Sequence, residues 1–339
     1  MLKVGVIGTG MIGRDHIRRM TTVLPGVRVT AVTDVDAAVA AEVGDRIGAT
    51  VRATGEDVIA DQAVDAVVVC SWGPTHEQYV LASIAAGKPV FCEKPLATTQ
   101  EAALRVVEAE VAHGSRLVQV GYMRRYDVAY RALKKVLDSG EIGVPLMMHC
   151  AHRNPSVPSF YEKEMAITDT AVHEIDMVRW MFGEEIVAAR VLIPRKSANG
   201  GALQDPLLLI LELAGGLLAD VEISVNIRYG YDIRGEIIGE DGTAALGSLS
   251  PVSVRVGGRN TTPVPMDWRD RFLDAYDVEL REWIDSLAGG GQPVGPSAWD
   301  GYAAAVVSDA AVAALRTGSR VAVSLADRPK LYTPAEAPA

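Results

Sequence analysis

Two clusters in this 339-residue sequence hold the residue types that proton transfer and oxyanion stabilisation require. Lys94 stands between Glu93 and Pro95 at the end of an apolar run. A strand-end ammonium there can hydrogen-bond a substrate oxygen and stabilise negative charge developing on it. The stretch Asp169-Thr170-Ala171-Val172-His173-Glu174-Ile175-Asp176 has helical periodicity, and spacings of four and three put Asp169, His173 and Asp176 on one helix face. An imidazole beside a carboxylate is oriented and basic enough to take a hydroxyl proton near neutral pH. Each cluster also has a plainer reading: an exposed strand-end lysine for the first, an ion pair on a solvated helix face for the second. A metal site is disfavoured, because no second histidine falls at zinc spacing in this helix.

A group that accepts or donates electrons has its own signature at the N-terminus. The run Lys3 to Ile7 enters Gly8-Thr9-Gly10-Met11-Ile12-Gly13, a GxGxxG between a predicted strand and a predicted helix. Gly8 makes the tight turn, Gly10 lets backbone approach a pyrophosphate, Gly13 lets helix and strand pack closely, and Met11 and Ile12 open the helix. The next apolar run ends Thr33-Asp34-Val35, with the carboxylate 21 residues beyond Gly13, where an acid accepts hydrogen bonds from ribose hydroxyls. Asp34 repels a 2′-phosphate and Val35 supplies no cation to receive one, so NAD is expected over NADP. Ligands of open α/β sheets lie beyond the carboxyl ends of the strands. That adds Ser71, Trp72 and His76 after one strand, and Glu93 with Lys94 after the next, as cofactor-contact candidates. His76 reads equally well as a helix-start histidine satisfied within its loop.

The elements that must position these groups follow from hydrophobic rhythm. Lys3 to Ile7, Val27 to Thr33, Val64 to Cys70, Pro89 to Cys92 and Leu117 to Val120 are nearly continuous apolar runs, as strands buried on both faces must be. Between them, Ile12 to Val23, Ala37 to Ile47, Thr75 to Ala86 and Thr98 to His113 read as helices, with Gly87 and Gly114 ending the last two. This predicts a doubly wound parallel sheet over residues 1–121. Beyond Gly121 come a helix (Tyr126 to Leu137), a strand (Pro145 to Arg153), a helix (Ile167 to Phe182), then mostly strands to Val256. Strands without intervening helices pair antiparallel, so residues 122–330 should form an α+β domain on one large, mostly antiparallel sheet. Late helices are expected over Phe272 to Leu287 and Ala298 to Arg316, and the tail (331–339, frayed from about Asp327) should be loose or an oligomer contact. Alternation along Met147 to Asn154 puts Met148, Cys150, His152 and Asn154 on one face, and His149 points the other way. Arg124, Arg125, Tyr229 and Tyr231 are further polar candidates.

Composition limits the function classes. Acidic residues outnumber basic ones, 43 to 33, which gives no global attraction to nucleic acid or anionic lipid. The three cysteines, Cys70, Cys92 and Cys150, show no metal spacing and read as buried thiols of a reducing compartment. The apolar stretch Leu207 to Val221 is interrupted by Glu212, Gly215, Gly216 and Asp220, so it cannot span a membrane as a helix. A cytoplasmic protein with no membrane or nucleic-acid partner is the expectation.

The glycine motif, Glu93-Lys94-Pro95 and Asp169-x-x-x-His173 together resemble the glucose-fructose oxidoreductase, inositol dehydrogenase and MocA family across residues 1–330. Longer stretches, among them Ser71-Trp72-Gly73-Pro74, Met123-Arg124-Arg125-Tyr126-Asp127, His149 to Pro155 and Tyr229 to Ile233, are similar to the inositol-oxidising branch. The resemblance implies NAD-dependent oxidation of myo-inositol at C2 to 2-keto-myo-inositol, by a catalytic group of Lys94, Asp169 and His173. It implies a polyol pocket lined by Arg124, His152, Asn154, Asp176 and Tyr231, with Tyr276 near the nicotinamide. It also implies a cis peptide before Pro95 and a homotetramer packed through its large sheets. Another cyclitol, a sugar or an anhydrosugar as substrate is the alternative, and a non-catalytic sugar sensor of the same fold a remote one.

Overall fold

Short strands that are apolar on both faces are stable only inside a parallel sheet covered by helices, and the first part of the chain has that form. The computed structural model describes residues 1–247 and 252–333. In chain order the elements are β1 (Leu2–Ile7), α1 (Met11–Arg18), β2 (Val27–Thr33), α2 (Ala37–Ile47), β3 (Thr50–Val51), α3 (Gly55–Ala60), β4 (Ala66–Val69), α4 (His76–Ala85), β5 (Val90–Glu93), α5 (Gln100–His113) and β6 (Val118–Gly121). The strands form one sheet in the order β3-β2-β1-β4-β5-β6, every neighbouring pair parallel. The order reverses between β1 and β4, which opens a crevice beyond their carboxyl ends.

The later elements are α6 (Val128–Asp138), β7 (Pro145–Arg153), α7 (Val172–Phe182), β8 (Ile186–Leu192), β9 (Leu207–Leu213), β10 (Leu218–Ser224), β11 (Asp232–Gly239), β12 (Thr243–Ala245), the hairpin β13 (Val254–Val256) and β14 (Arg259–Thr261), α8 (Trp268–Leu287), α9 (Ala298–Thr317) and β15 (Val321–Ala322). Seven strands make the second sheet, in the order β12-β11-β7-β10-β9-β8-β15. Its neighbours run antiparallel except β7 and β10. Period-two alternation sorts its faces: Met148, Cys150 and His152 of β7 and Leu207, Leu209 and Leu211 of β9 are buried, while Met147 and His149 are exposed. The α/β and α+β halves read from the hydrophobic pattern are both present.

The chain divides into one compact unit of residues 1–122, 277–305 and 325–333 and another of residues 123–276 and 306–324. The late segments therefore divide between the two units, neither of which is contiguous in sequence. Leu280, Trp283, Ile284 and Leu287 of α8 belong to the same apolar cluster as Val4, Val6, Ile17, Val29 and Phe91, and complete the cover of the first sheet. The tail is also tied down as far as it is described. Tyr332 is buried in a short turn (Lys330–Tyr332), its hydroxyl donates to Glu110 Oε2, and its ring lies against Trp299. The expected fraying from Asp327 gives way because that hydroxyl finds an acceptor in α5; residues 334–339 lie outside the described residues. The expected helix from Ile167 is two pieces: a π turn over Ala166–Ala171, then α7.

Candidate active site

At the crevice of the first unit the three glycines do different work. Gly8 has φ +94°, and a Cβ there would lie 2.6 Å from the Cys70 backbone. A Cβ on Gly13 would lie 2.0 Å from the Gly8 carbonyl oxygen, whereas one on Gly10 meets nothing within 4 Å. The space beside Gly10 is open. Helices α2, α3 and α5 are capped by Asp36, Thr54 and Thr99, but α1 has no side-chain cap and no acid in its first turn. Its leading amides, at Met11 and Ile12, thus present the positive end of the helix dipole. Asp34 Oδ2 accepts from the Thr9 amide (2.6 Å) and hydroxyl (3.1 Å), and Oδ1 accepts from the Asp36 amide. The glycine loop itself aims this carboxylate. Met11, Val35 and Trp72 are exposed. An open cradle, an uncapped helix start and an oriented acid fit a dinucleotide; Gly8, Gly10, Gly13, Met11, Ile12, Asp34, Val35, Ser71 and Trp72 are the residues that would hold it.

Two of the expected cofactor contacts have other tasks. His76 is buried, with Nδ1 2.7 Å from the Pro95 carbonyl oxygen and Nε2 2.9 Å from that of Ser71. Both ring nitrogens are engaged by backbone, so His76 ties the loop after β4 to the loop after β5. Glu93 is buried as well: Oε1 lies 2.7 Å from His16 Nε2, and Oε2 accepts from the Lys94 amide at 3.2 Å. It anchors the backbone of Lys94 instead of facing outward. Lys94 itself is half-buried, and its peptide bond to Pro95 is cis. His16, on the buried stripe of α1 and edge-on to Phe91 at 5.8 Å, went unread. Its place beside Gly13 and Ile17 on the inward face was the available signal, since a buried imidazole there needs a polar partner.

In the second unit Asp169 lies in the π turn, and His173 and Asp176 lie in α7. Asp169 is exposed, while His173 and Asp176 are buried. Asp176 takes a bidentate pair with Arg125, the Nε bond at 2.9 Å. Its carboxylate is thereby paired with a cation. Arg124 is also fully buried, between the rings of Tyr130 and Phe272. One guanidinium nitrogen pairs with Glu174, and another stands 3.0 Å from His152 Nδ1. Arg124 is thus the counter-charge of Glu174.

Glu174 is the centre of that network. Its Oε2 lies 3.0 Å from His152 Nδ1, and the Tyr231 hydroxyl stands 3.5 Å from His152 Nε2, with its ring perpendicular to the imidazole. The His152 and His173 rings are 6.3 Å apart, centre to centre. Burial opposes charge on Glu174, but Arg124 and then His152 hold its pKa down to about 2; burial foremost pushes Tyr231 up to about 12. Glu174 was overlooked because it follows His173 directly, while its partners lie 22 and 50 residues away. Asn154 is half-buried just past β7, its backbone bonded to Ser224 and Ile227, and Tyr276 is buried against Trp268. His149 faces away and pairs with Asp220. Among the described residues no cluster of three or more His, Cys, Asp or Glu fits a metal ion, and no helix is long and apolar enough to cross a membrane.

A Rossmann sheet with a dinucleotide cradle, followed by an α/β unit with buried imidazoles and carboxylates, defines a nicotinamide-dependent oxidoreductase. Residues 2–122 match the oxidoreductase family's NAD-binding Rossmann fold and residues 134–323 its C-terminal alpha/beta domain. The chain belongs to the Gfo/Idh/MocA oxidoreductase family. It is 54% identical over 334 residues to the inositol 2-dehydrogenase of Ralstonia nicotianae, covering 98% of this chain and 99% of that one. It is 55% identical over 335 residues to the inositol 2-dehydrogenase of Pseudomonas syringae pv. syringae, with the same coverage. The crystal structure of myo-inositol dehydrogenase from Lactobacillus casei in complex with NAD(H) and myo-inositol superposes with a TM-score of 0.95 at 42% identity, covering 98% of this chain and all of that one.

Proposed function

We propose that this chain oxidises myo-inositol at its C2 hydroxyl to 2-keto-myo-inositol, with NAD as hydride acceptor. The observation that carries the reading is the 54% identity, over nearly the whole of both chains, to an inositol 2-dehydrogenase. The chain supplies a lysine at the end of β5 and a buried histidine at the start of α7 for the chemistry. NAD, when bound, takes the hydride of the carbinol carbon at its nicotinamide ring.

The other steps belong to the protein. His173 takes the hydroxyl proton as the C2–H bond breaks and the carbonyl forms, Asp169 orients the imidazole and supports its positive charge, and Lys94 donates a hydrogen bond to the reacting oxygen. Glu93, bonded to the Lys94 amide and to His16, keeps the Lys94 backbone in place. His152, Asn154 and Tyr231 bind the other hydroxyls, and Tyr276 is among the residues that would hold NAD. A homotetramer and a cytoplasmic location complete the reading. Leu146, Met147, Val187, Leu192 and Leu218, exposed on strands of the second sheet, support the first, and three free, buried cysteines are compatible with the second.

Initial rates of NADH formation across myo-, scyllo- and chiro-inositol, glucose and an anhydrosugar, with NAD and then NADP, test the proposal. A clear kcat/KM preference for myo-inositol with NAD is expected. Preference for another polyol overturns the substrate, and bound NAD without turnover on any of them overturns the enzyme. Light scattering of the native protein should return the mass of four chains.

A further inference from the structure

We propose that Glu174 is a positioning residue that decides which nitrogen of His152 carries the proton, making His152 a hydrogen-bond acceptor toward a polyol hydroxyl. The proposal deepens the functional reading above and rests on it for the polyol. Glu174 has no exposure, and His152 Nδ1 is the hydrogen-bond partner of its Oε2, at 3.0 Å. A buried anionic oxygen facing a lone pair would meet repulsion where it needs a hydrogen bond, whatever Arg124 does at the other oxygen. Nδ1 therefore carries the proton and donates to Glu174.

Arg124 stands equally close to Nδ1, at 3.0 Å, but a guanidinium only donates. Its charge is already answered by Glu174 Oε1, so it does not depend on His152 as an acceptor. Charge balance points the same way: Arg124 and Glu174 cancel, and His152 is satisfied as the neutral ring. The lone pair is then on Nε2, the nitrogen toward Tyr231 on the ring that neighbours His173. A carboxylate that fixes the tautomer of a working imidazole from behind is a familiar arrangement at metal and catalytic sites. Here it would govern substrate recognition: a hydroxyl approaching Nε2 must come as donor, and the face presented to the polyol is set by a residue that never touches it.

Glu174→Gln is the discriminating variant. Its amide oxygen must turn toward Arg124, because an amide NH2 is repelled by a guanidinium, so the NH2 meets His152 Nδ1 and moves the ring proton to Nε2. Long-range 15N–1H NMR of the whole 15N-histidine-labelled protein with NADH bound, with His152 assigned through His152→Gln, reads this directly. The expected result is a neutral ring protonated at Nδ1 in the native protein and at Nε2 in Glu174→Gln. In the same variant KM for myo-inositol should rise about tenfold, with KM for NAD unchanged and kcat within about threefold, because Lys94, Asp169 and His173 are intact. A native ring protonated at Nε2, or at both nitrogens, overturns the proposal even if the variant fails to fold. So does a variant that keeps Nδ1 protonated, or one whose tautomer switches while KM stays put. If the native enzyme turns over a different polyol, the KM comparison is made with that substrate. If it turns over none while both tautomers are as stated, the functional reading fails and the hold of Glu174 on His152 stands.

Discussion

At the carboxyl ends of β1, β2 and β4 the first unit presents backbone amides, a glycine with open space beside it and one half-buried carboxylate. Around β7 and α7 the second unit presents a guanidinium, two carboxylates and two imidazoles, all of them buried. Helix-end amides stay hydrated when no ligand is bound and need no partner of their own. That is why α1 can start uncapped and exposed. A buried charge has no such freedom. Arg124 and Asp176 must each meet an opposite charge whether or not a ligand is present, so this network comes already assembled. Backbone geometry builds one end, and mutual charge compensation builds the other.

That contrast can be broken by substitution. The largest effect belongs to the chemistry: His173→Ala should lower kcat by about 10²- to 10⁴-fold while leaving NAD affinity, followed by fluorescence titration, unchanged. Next comes the charge network. Arg124→Met strands Glu174 in the interior and should lower the unfolding free energy by about 3–5 kcal/mol, read from the urea midpoint. Arg14, whose pair with Glu42 is exposed, should cost less than about 1 kcal/mol as Arg14→Ala.

The backbone-built end should answer in binding and not in stability. Gly10→Ala points a methyl into open space, so its urea midpoint should hold while the Kd for NAD rises about tenfold or more, because that space is where the pyrophosphate must approach. Gly13→Ala, 2.0 Å from the Gly8 carbonyl oxygen, should lose both. Equal loss of stability in the two alanine variants would erase the distinction.

Acid separates the ends most gently. Glu174 is held to about 2, below its ordinary 4.5, so its pairing contributes stability above about pH 4.5 that is lost as pH falls from there through 2. Native protein should lose urea resistance across that window by more than Arg124→Met does. Parallel acid profiles for the two proteins would mean that the pair carries no such linkage.

Much of this was legible along the chain. Val27 to Thr33, Ala37 to Ile47 and Pro145 to Arg153 have the bounds that hydrophobic periodicity and glycine stops assign them, because each buries a face over several consecutive residues. The two-residue β3 and six-residue α3 went unread, being shorter than any window in which a period can be counted. The dinucleotide motif was readable because its parts are local: Gly8, Gly10 and Gly13 sit on one turn, and Asp34 ends the very next strand.

The sequence by itself determined the classes of the two halves, the cofactor, and the local groups Lys94, Asp169 and His173 as candidates. Only the tertiary structure decided which polar groups face one another. The pairs of Glu93 with His16, Glu110 with Tyr332, and Glu174 with Arg124 and His152 join residues 77, 222, 50 and 22 positions apart. The physical reason is that burial sets a stringent demand for a partner without specifying where along the chain that partner lies. Periodicity shows that a side chain turns inward; the folded chain shows what it meets there.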